Sequence, residues 1–189
     1  AVINELIANF TGNSVQGTDW ALGGALVNMG TIESMSGVFE NNSVVATSEE
    51  GYALGGAIYN GTDATINFDG DVLFSNNTAL EGADIYNDGI VNIVSGTTTI
   101  DTAVAGEGTL NVASDAILNI GTATVQQTQI NIDGIVQASV LSNRSYGRLL
   151  GLIEAKDSAE LKLNVGSVGS YKIFDSQADI TVTAGATYD

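Results

Sequence analysis

The stretch LGGAIYN at residues 54–60, followed by FSNNT at residues 74–78, decides the fold because the chain repeats it. A first copy reads LGGALVN at residues 22–28 and FENNS at residues 39–43. A weaker third copy, GADIYN at residues 82–87, aligns if one additional residue is allowed ahead of its IYN. Repeats spaced by a few tens of residues are typical of solenoids, in which each repeat buries its apolar face against its neighbours.

The residues around these motifs favour short strands and turns. FTGNS at residues 10–14 is a partial copy ahead of the first repeat. In the second repeat a Gly-Gly corner precedes the short strand AIYN at residues 57–60, and a glycine-containing turn precedes the alternating strand ATINF at residues 64–68. Segments rich in Ile, Val, Thr, Phe and Tyr, punctuated by Gly, Asn and Asp, indicate strands and turns. The sequence therefore predicts an all-β fold.

The second half of the chain carries a different pattern at a regular spacing. Four segments place Asn between apolar residues: IVNI at 90–93, TLNV at 109–112, ILNI at 117–120 and QINI at 129–132. The segments that end at Ile93, Val112 and Ile132 follow one another at 19 and 20 positions, a spacing that fits one coil, or rung, of three short strands and their turns. We expect Phe39, Phe74, Ile93, Val112 and Ile132 to point inward and to stack on neighbouring rungs. The intervening Asn residues should face outward, and those at matched positions can bond in ladders.

Residues 142–189 differ from the β-helix repeats that we predict for residues 1–141. The dense apolar segment at residues 149–153 is compatible with a short helix or with a covering strand. Residues 160–165 and 171–174 alternate again, as a hairpin or as two more coils. Because a terminal coil exposes a bare strand edge, we expect terminal rungs or a β-rich cap here.

Charge is the strongest feature of the composition. The formal net charge is −17, and the basic residues all lie late in the chain, at Arg144, Arg148, Lys156, Lys162 and Lys172. Nucleic acid is a poor partner, since phosphate binding needs cationic groups. No apolar run is long enough for direct membrane insertion of this segment. A solvated acidic surface explains the charge, and binding of a divalent cation or a cationic partner is the alternative.

The paired motifs resemble the repeats of chlamydial-type polymorphic outer-membrane proteins. They are also similar to bacterial autotransporter passengers and other surface proteins with a pectin-lyase-like fold. The resemblance rests on residues 23–26 with Phe39 and Asn42, on their counterparts in the second copy, and on residues 82–85. It implies a right-handed parallel β-helix, an extracellular location at the bacterial cell surface, and adhesion to a host-cell or matrix protein or to a glycan.

The residue inventory argues against an enzyme. The chain contains no His and no Cys, so a Ser or Cys nucleophile lacks its usual base, and zinc sites built on these residues are excluded. A polysaccharide lyase needs cationic groups to hold its acidic substrate, and residues 1–143 contain no Lys or Arg. Paired carboxylates, such as Asp69 with Asp71 or Asp84 with Asp88, keep a glycosidase open as an alternative.

Calcium is the remaining site chemistry. Asp63, Asp69 and Asp71 supply oxygen ligands in turn-rich sequence, but no complete calcium-loop motif is present. We therefore expect neither a metal site nor a cofactor, with Ca²⁺ at these three residues as a weak candidate.

The two longest connections supply the best candidate binding residues. They lie between a Phe-x-x-Asn motif and the next Gly corner, and they contain Asp19, Trp20, Glu49, Glu50 and Tyr52. Aromatic residues beside acids on loops are suited to holding a sugar or a protein partner. The alternative is that Trp20 and Tyr52 fold back and shield the core.

The sequence thus favours an exported bacterial surface protein that acts as an adhesive or structural β-helical stalk. One alternative is a self-assembling extracellular filament or surface-layer subunit that associates end to end. The second alternative is a carbohydrate-active enzyme that uses paired carboxylates.

Overall fold

The computed structural model describes residues 1–140, 152–161, 180–182 and 187–188, and every regular element in them is a β-strand. The strands of the first repeats are β1 (Val2–Ile3), β2 (Leu6–Thr11), β3 (Ser14–Gly17), β4 (Trp20–Leu22), β5 (Leu26–Asn28), β6 (Thr31–Glu40), β7 (Ser43–Ala46), β8 (Tyr52–Leu54), β9 (Ile58–Asn60), β10 (Thr65–Ser75) and β11 (Ile85–Asn87). They are followed by β12 (Ile90–Thr99), β13 (Ala103–Ala105), β14 (Thr109–Val112), β15 (Ala116–Gly121), β16 (Thr124–Val125), β17 (Gln129–Ile132), β18 (Ile135–Val140), β19 (Leu152–Leu161), β20 (Ile180–Val182) and β21 (Thr187–Tyr188). The predicted all-β fold is confirmed for these residues. They include no helix that is long and apolar enough to cross a membrane.

The strands pair in parallel, each with its counterpart in the next repeat. They form a 12-stranded sheet, a 5-stranded sheet and two 2-stranded sheets. The 12-stranded sheet runs from β1 and β2 at one edge to β20 and β21 at the other. Residues 142–151, which include Arg144 and Arg148, lie outside the described residues, as does most of the predicted cap after Leu161.

The third copy of the repeat contains no insertion. Ile58 of β9 pairs with Ile85 of β11, and the register does not shift along this strand pair. The additional residue that we allowed before IYN is therefore wrong. Asp84 instead occupies the position that Ala57 holds in the second copy, and this substitution shapes the polar interior described below.

Repeat length shortens along the chain. The stacked residues Asn42 and Asn77 are 35 positions apart, whereas Asn111 and Asn131 are 20 positions apart. The first two repeats are longer because each carries two extra short strands, β3 and β4 in one and β7 and β8 in the other. The expected length of about twenty residues is thus right for the second half and wrong for the first.

The core is a row of side chains that repeat in register. The rings of Phe10, Phe39 and Phe74 stack in sequence, with centroids 4.9 and 5.1 Å apart. Phe39 and Phe74 are fully buried, as are the aligned residues Ile93, Val112 and Ile132. The five predicted inward positions are confirmed. Each such burial stabilises the fold by roughly 1.5–3 kcal/mol.

The segment at residues 117–120 does not belong with the other three Leu-Asn-Ile segments. Leu118 of β15 pairs with Thr98 in the second half of β12, and next with Val136 of β18. The other three segments lie in the first half of β12, in β14 and in β17. β14 pairs with β12 on one side and with β17 on the other. Alternation with a period of two is the same in every half-buried strand, so the pattern alone could not show which strands pair with one another.

The two glycines of the Gly-Gly corner are needed for different reasons. Gly55 has a φ of 72°, a left-handed conformation that glycine adopts without steric cost. At Gly56 a Cβ atom would lie 2.2 Å from the carbonyl oxygen of Ala83 in the next repeat. The first glycine therefore makes the corner, and the second lets neighbouring repeats approach.

Candidate binding surface and polar ladders

The extra strands of the first two repeats form a small projection, which we call the lobe and define as residues 14–22 and 43–54. It has its own apolar cluster of Ala21, Val44 and Ala53, separate from the main core. Small side chains suit this position because the paired strands β4 and β8 lie close to β3 and β7. The lobe therefore holds Trp20 and Tyr52 on paired strands, whereas Asp19, Glu49 and Glu50 lie in turns.

Trp20 and Tyr52 lie on the outer surface of the lobe. They occupy paired positions on β4 and β8, and their rings stack with centroids 4.4 Å apart and planes 20° apart. Both face solvent, with 61% of Trp20 and 48% of Tyr52 exposed. Stacked aromatic pairs contribute about 0.5–1.5 kcal/mol beyond their buried area. This stack presents a broad and partly fixed aromatic surface to solvent, so the two rings do not close over the core.

The three acidic candidates lie in the turns that precede β4 and β8. Asp19, Glu49 and Glu50 are all exposed, and the backbone N–H of Tyr52 donates a hydrogen bond of 2.7 Å to the carbonyl oxygen of Asp19. Glu49 also lines a shallow groove of about 320 Å³ beside the lobe, together with Leu80 and the strand residue Val45. Leu80 and Val45 are themselves exposed. All five predicted binding residues therefore lie on the lobe and are exposed, and Glu49 is adjacent to apolar side chains that the sequence did not single out.

A buried amide ladder lies behind the Phe stack. The Nδ2 group of Asn42 donates to Oδ1 of Asn77 at 3.0 Å, and Asn13 donates in the same way to Asn42 at 2.9 Å. The backbone N–H groups of Asn13 and Asn42 donate to the same two oxygens. Asn42 and Asn77 are almost fully buried. Asn42 and Asn77 therefore satisfy polar groups of the neighbouring repeats, including backbone groups of the repeat before each.

Asp84 ends this ladder. Its Oδ1 accepts a hydrogen bond from Nδ2 of Asn77 at 3.0 Å, and its Oδ2 accepts from the backbone N–H groups of Asp101 and Thr102. The residue is fully buried. Burial raises the pKa of Asp84 above its usual value, against the opposing effect of these three hydrogen bonds. Since both carboxylate oxygens are already bound within the protein, we interpret Asp84 as a structural residue.

A second buried amide ladder runs along the corner after the Gly-Gly motif. Asn28 donates to Asn60 at 2.8 Å, Asn60 donates to Asn87 at 2.7 Å, and Asn87 donates to Oε1 of Gln127. Gln127 thus takes the place of Asn where the repeats become short. Asn28, Asn60, Asn87 and Gln127 are all buried.

Two half-buried tyrosines lie next to this second ladder. Tyr59 and Tyr86 stack with planes only 3° apart. Burial, and then the carboxylates of Asp88 and Glu81, raise the pKa of Tyr86 to about 12. The tyrosine stack therefore remains uncharged over the physiological pH range.

The outward Asn residues of the second half form a third ladder. Asn131 donates to Asn111, Asn111 donates to Asn92, and Asn92 donates to Asn67, at 2.7–2.8 Å. The predicted ladder of matched Asn residues is confirmed here. It is half-buried and borders a groove of about 350 Å³, unlike the two buried ladders.

The three weak calcium candidates have different surroundings. Asp69 accepts a hydrogen bond from the hydroxyl of Ser95, and Asp71 accepts one from the backbone N–H of Thr97. Asp63 adopts a left-handed turn conformation with a φ of 63°. Within the described part of the chain, no group of three or more acidic residues is arranged to hold a metal ion.

Comparisons of the sequence with family models and with curated proteins, and of the structure with solved structures, found no match.

Proposed function

We propose that this chain is a right-handed parallel β-helix from an exported bacterial surface protein, and that it acts as an adhesive or structural stalk. The observation that carries the proposal is the in-register stacking of the same side chains from repeat to repeat. Phe10, Phe39 and Phe74 form one stack, and three polar ladders run beside or outside it. Such ladders are expected where each coil lies directly on the one before.

A stalk needs little more than contacts between neighbouring repeats. Each repeat bonds to the repeats before and after it, so that stability accumulates along one direction. The net charge of −17 keeps such a surface soluble and discourages side-by-side association. These properties support a structural role without requiring a site for chemistry.

The adhesive role is assigned to the lobe. It interrupts the regular repeats, and it presents Trp20 and Tyr52 as a stacked, solvent-facing pair. Aromatic anchors contribute strongly to protein interfaces. Exposed carboxylates of Asp19, Glu49 and Glu50 provide acceptors for hydroxyl or ammonium groups of a partner.

The chain offers a direct probe of this surface because Trp20 is its only tryptophan. We would measure binding of the labelled protein to glycan arrays, matrix proteins and cultured cells, and then follow Trp20 fluorescence with the best binder. A bound partner should shift the emission and protect Trp20 from a soluble quencher. Binding that leaves Trp20 emission and quenching unchanged would move the site away from the lobe.

Substitution of Trp20 and Tyr52 distinguishes a binding role from a role in shielding the core. Trp20→Ser with Tyr52→Ser should weaken attachment at least tenfold while the melting temperature changes little. Leu73→Ser with Val94→Ser is a matched control, because both residues are exposed apolar side chains outside the lobe. A lobe variant that melts far below the control would favour the shielding role, and one that attaches normally would contradict the adhesive role.

A further inference from the structure

The third repeat lacks the two short strands that form the lobe in the first two repeats. In the second repeat, twelve positions separate Asn42 from Leu54. Their counterparts in the third repeat, Asn77 and Glu81, are only four positions apart. The chain takes a direct path here, so the lobe ends in a step on its third-repeat side. This step is internal to the chain, because described residues lie both before and after it.

One edge of β7 is unpaired at this step. The backbone N–H of Thr47 donates to Gly17 on the β3 side, whereas the N–H of Val44 donates to Thr78 of the third repeat at 2.9 Å. Backbone groups alternate between the two sides of a strand, so Ala46 faces the third-repeat side as Val44 does. None of the described residues pairs with the backbone groups of Ala46 on that side. A free strand edge of this kind is a template for another strand.

The unpaired edge borders the groove of about 320 Å³ beside the lobe, which we call the lobe groove. Leu80 lines it from the third repeat, and the backbone N–H of Leu80 donates to the carbonyl oxygen of Ala53 on β8 at 3.0 Å. Val45 and Ala46 line it from β7. The side chains of Leu80 and Val45 are 67% and 48% exposed. An aliphatic groove beside a free strand edge suits an extended polypeptide, whose main chain continues the sheet while its side chains fill the groove.

The carboxylates around the lobe groove favour a cationic partner. Glu49 lines the groove, Glu50 follows it in the chain, and Glu81 follows Leu80. All three acids are exposed, and residues 1–143 supply no Lys or Arg to neutralise them. Lys or Arg side chains of a bound segment would be attracted to these carboxylates, whereas an acidic segment would be repelled.

We propose that the lobe groove binds an extended, basic segment of a partner protein, which adds to β7 as a third strand of its two-stranded sheet. The N–H of Ala46 donates to a carbonyl oxygen of this segment, and apolar side chains of the segment contact Val45 and Leu80. Its Lys or Arg residues face Glu49. The inference rests on the adhesive role proposed for the lobe, and it names the partner as a protein rather than a glycan.

Four fluorescent peptides test the proposal by their fluorescence anisotropy with the full chain. The first alternates Val with Lys, and the second has Glu in place of Lys. The third and fourth keep the first sequence but carry N-methyl groups on the Val nitrogens or on the Lys nitrogens, respectively. Methylation removes backbone donors and leaves the charge unchanged, and only one of these two sets of nitrogens faces β7 in a paired strand.

The first peptide should bind at least tenfold more tightly than its acidic counterpart. One methylated peptide should lose at least tenfold in affinity while the other binds nearly as well as the first. Equal affinity for the two methylated peptides would overturn strand addition, since the attraction would then depend on charge or composition alone. No binding of the first peptide would overturn the proposal as a whole.

Two substitutions locate the bound peptide. Ala46→Pro removes the edge N–H without breaking a described hydrogen bond, and Pro is tolerated on edge strands. We expect it to weaken binding of the Val-Lys peptide at least tenfold with little change in melting temperature. Glu49→Gln should weaken binding at least threefold and reduce its salt dependence. The matched control is Glu33→Gln, which removes an exposed carboxylate outside the lobe and should change neither property. Equal effects of the two Gln variants would place the peptide elsewhere and overturn the proposal.

Hydrogen exchange of the free protein tests whether the edge is open. The N–H of Ala46 should exchange faster than that of Thr47, which donates to β3 at 2.9 Å, and the Val-Lys peptide should slow it. Slow exchange at Ala46 without peptide would show that another part of the chain covers the groove, which would overturn the proposal. Cell attachment that depends on Trp20 and Tyr52 but not on Ala46 or Glu49 would retain the adhesive role and overturn only this inference.

Discussion

The first and second halves of the chain reach the same parallel pairing by different means. In the first half the repeats are long, the amide ladders are buried, and a lobe projects from two of them. In the second half the repeats shorten to about twenty residues, one buried ladder ends at Gln127, and a half-buried Asn ladder runs along the outer surface. What stays constant is the inward row of apolar side chains. The difference teaches that stacked positions govern the architecture, while the connections between them are free to lengthen and to carry function.

The largest expected effect comes from the aromatic stack of the first half. Phe74→Ala removes a fully buried ring that stacks on Phe39 and also contacts Phe68. We expect a loss of about 3–5 kcal/mol of unfolding free energy, because a large cavity remains. Chemical denaturation monitored by circular dichroism measures it. An unchanged midpoint would contradict the placement of Phe74 in the core.

The two kinds of ladder should respond differently to the same substitution. Asn42→Ala leaves buried donors and acceptors of neighbouring repeats unpaired, at about 1–3 kcal/mol for each group. Asn111→Ala removes a half-buried amide whose neighbours can bond to water, so we expect a cost of about 0.5–1 kcal/mol. Denaturation of the two variants under identical conditions compares them. Equal losses would show that ladder burial does not matter.

The third prediction concerns the buried hydroxyl of Thr98, at the junction of the two halves. Thr98 is fully buried, and its hydroxyl is the one buried side-chain group without a hydrogen-bond partner among the described residues. Its paired neighbours are Val72 and Leu118. Thr98→Val should therefore stabilise the protein by about 1 kcal/mol, since it removes an unsatisfied polar group. Thr97→Val, one position along the same strand, is the control and should have little effect. A destabilised Thr98→Val variant would indicate that the hydroxyl has a partner.

The fourth prediction uses the end of the buried ladder as a pH probe. Burial raises the pKa of Asp84, so the folded state binds a proton more tightly than the unfolded state. Its contribution to stability is then fully present below the unfolded pKa of about 3.9 and is lost as pH rises through the folded value. The unmodified protein should lose stability more steeply over this window than Asp84→Asn. Parallel stability curves for the two proteins would contradict the raised pKa.

Much of the fold was predictable because its determinants are local and repeated. The Phe-x-x-Asn motif indicated the stacked rings, and alternation indicated which side of each strand is buried. The burial of Asp84 was not predictable, because an acidic residue near a turn is usually exposed and only the register places it opposite Ala57. The strands of the lobe were missed as well. Their short, mixed sequences carry no clear period, although the residues of the candidate site were identified from Trp20 and its neighbouring acids.

The central claim is that successive repeats lie directly on one another along one axis, and spin-label distances test it most directly. Val2, Thr31, Thr65, Ile90, Thr109 and Gln129 are linked by successive register pairs. Neighbouring strands are about 4.8 Å apart, so the backbones at Val2 and Gln129 should be separated by about 24 Å, and those at Thr31 and Gln129 by about 19 Å. Cysteine pairs at these positions allow pulsed electron paramagnetic resonance to measure both separations. Distances that grow by one strand spacing per repeat are the result we predict, and distances that do not grow with the number of repeats would contradict the β-helix that we propose.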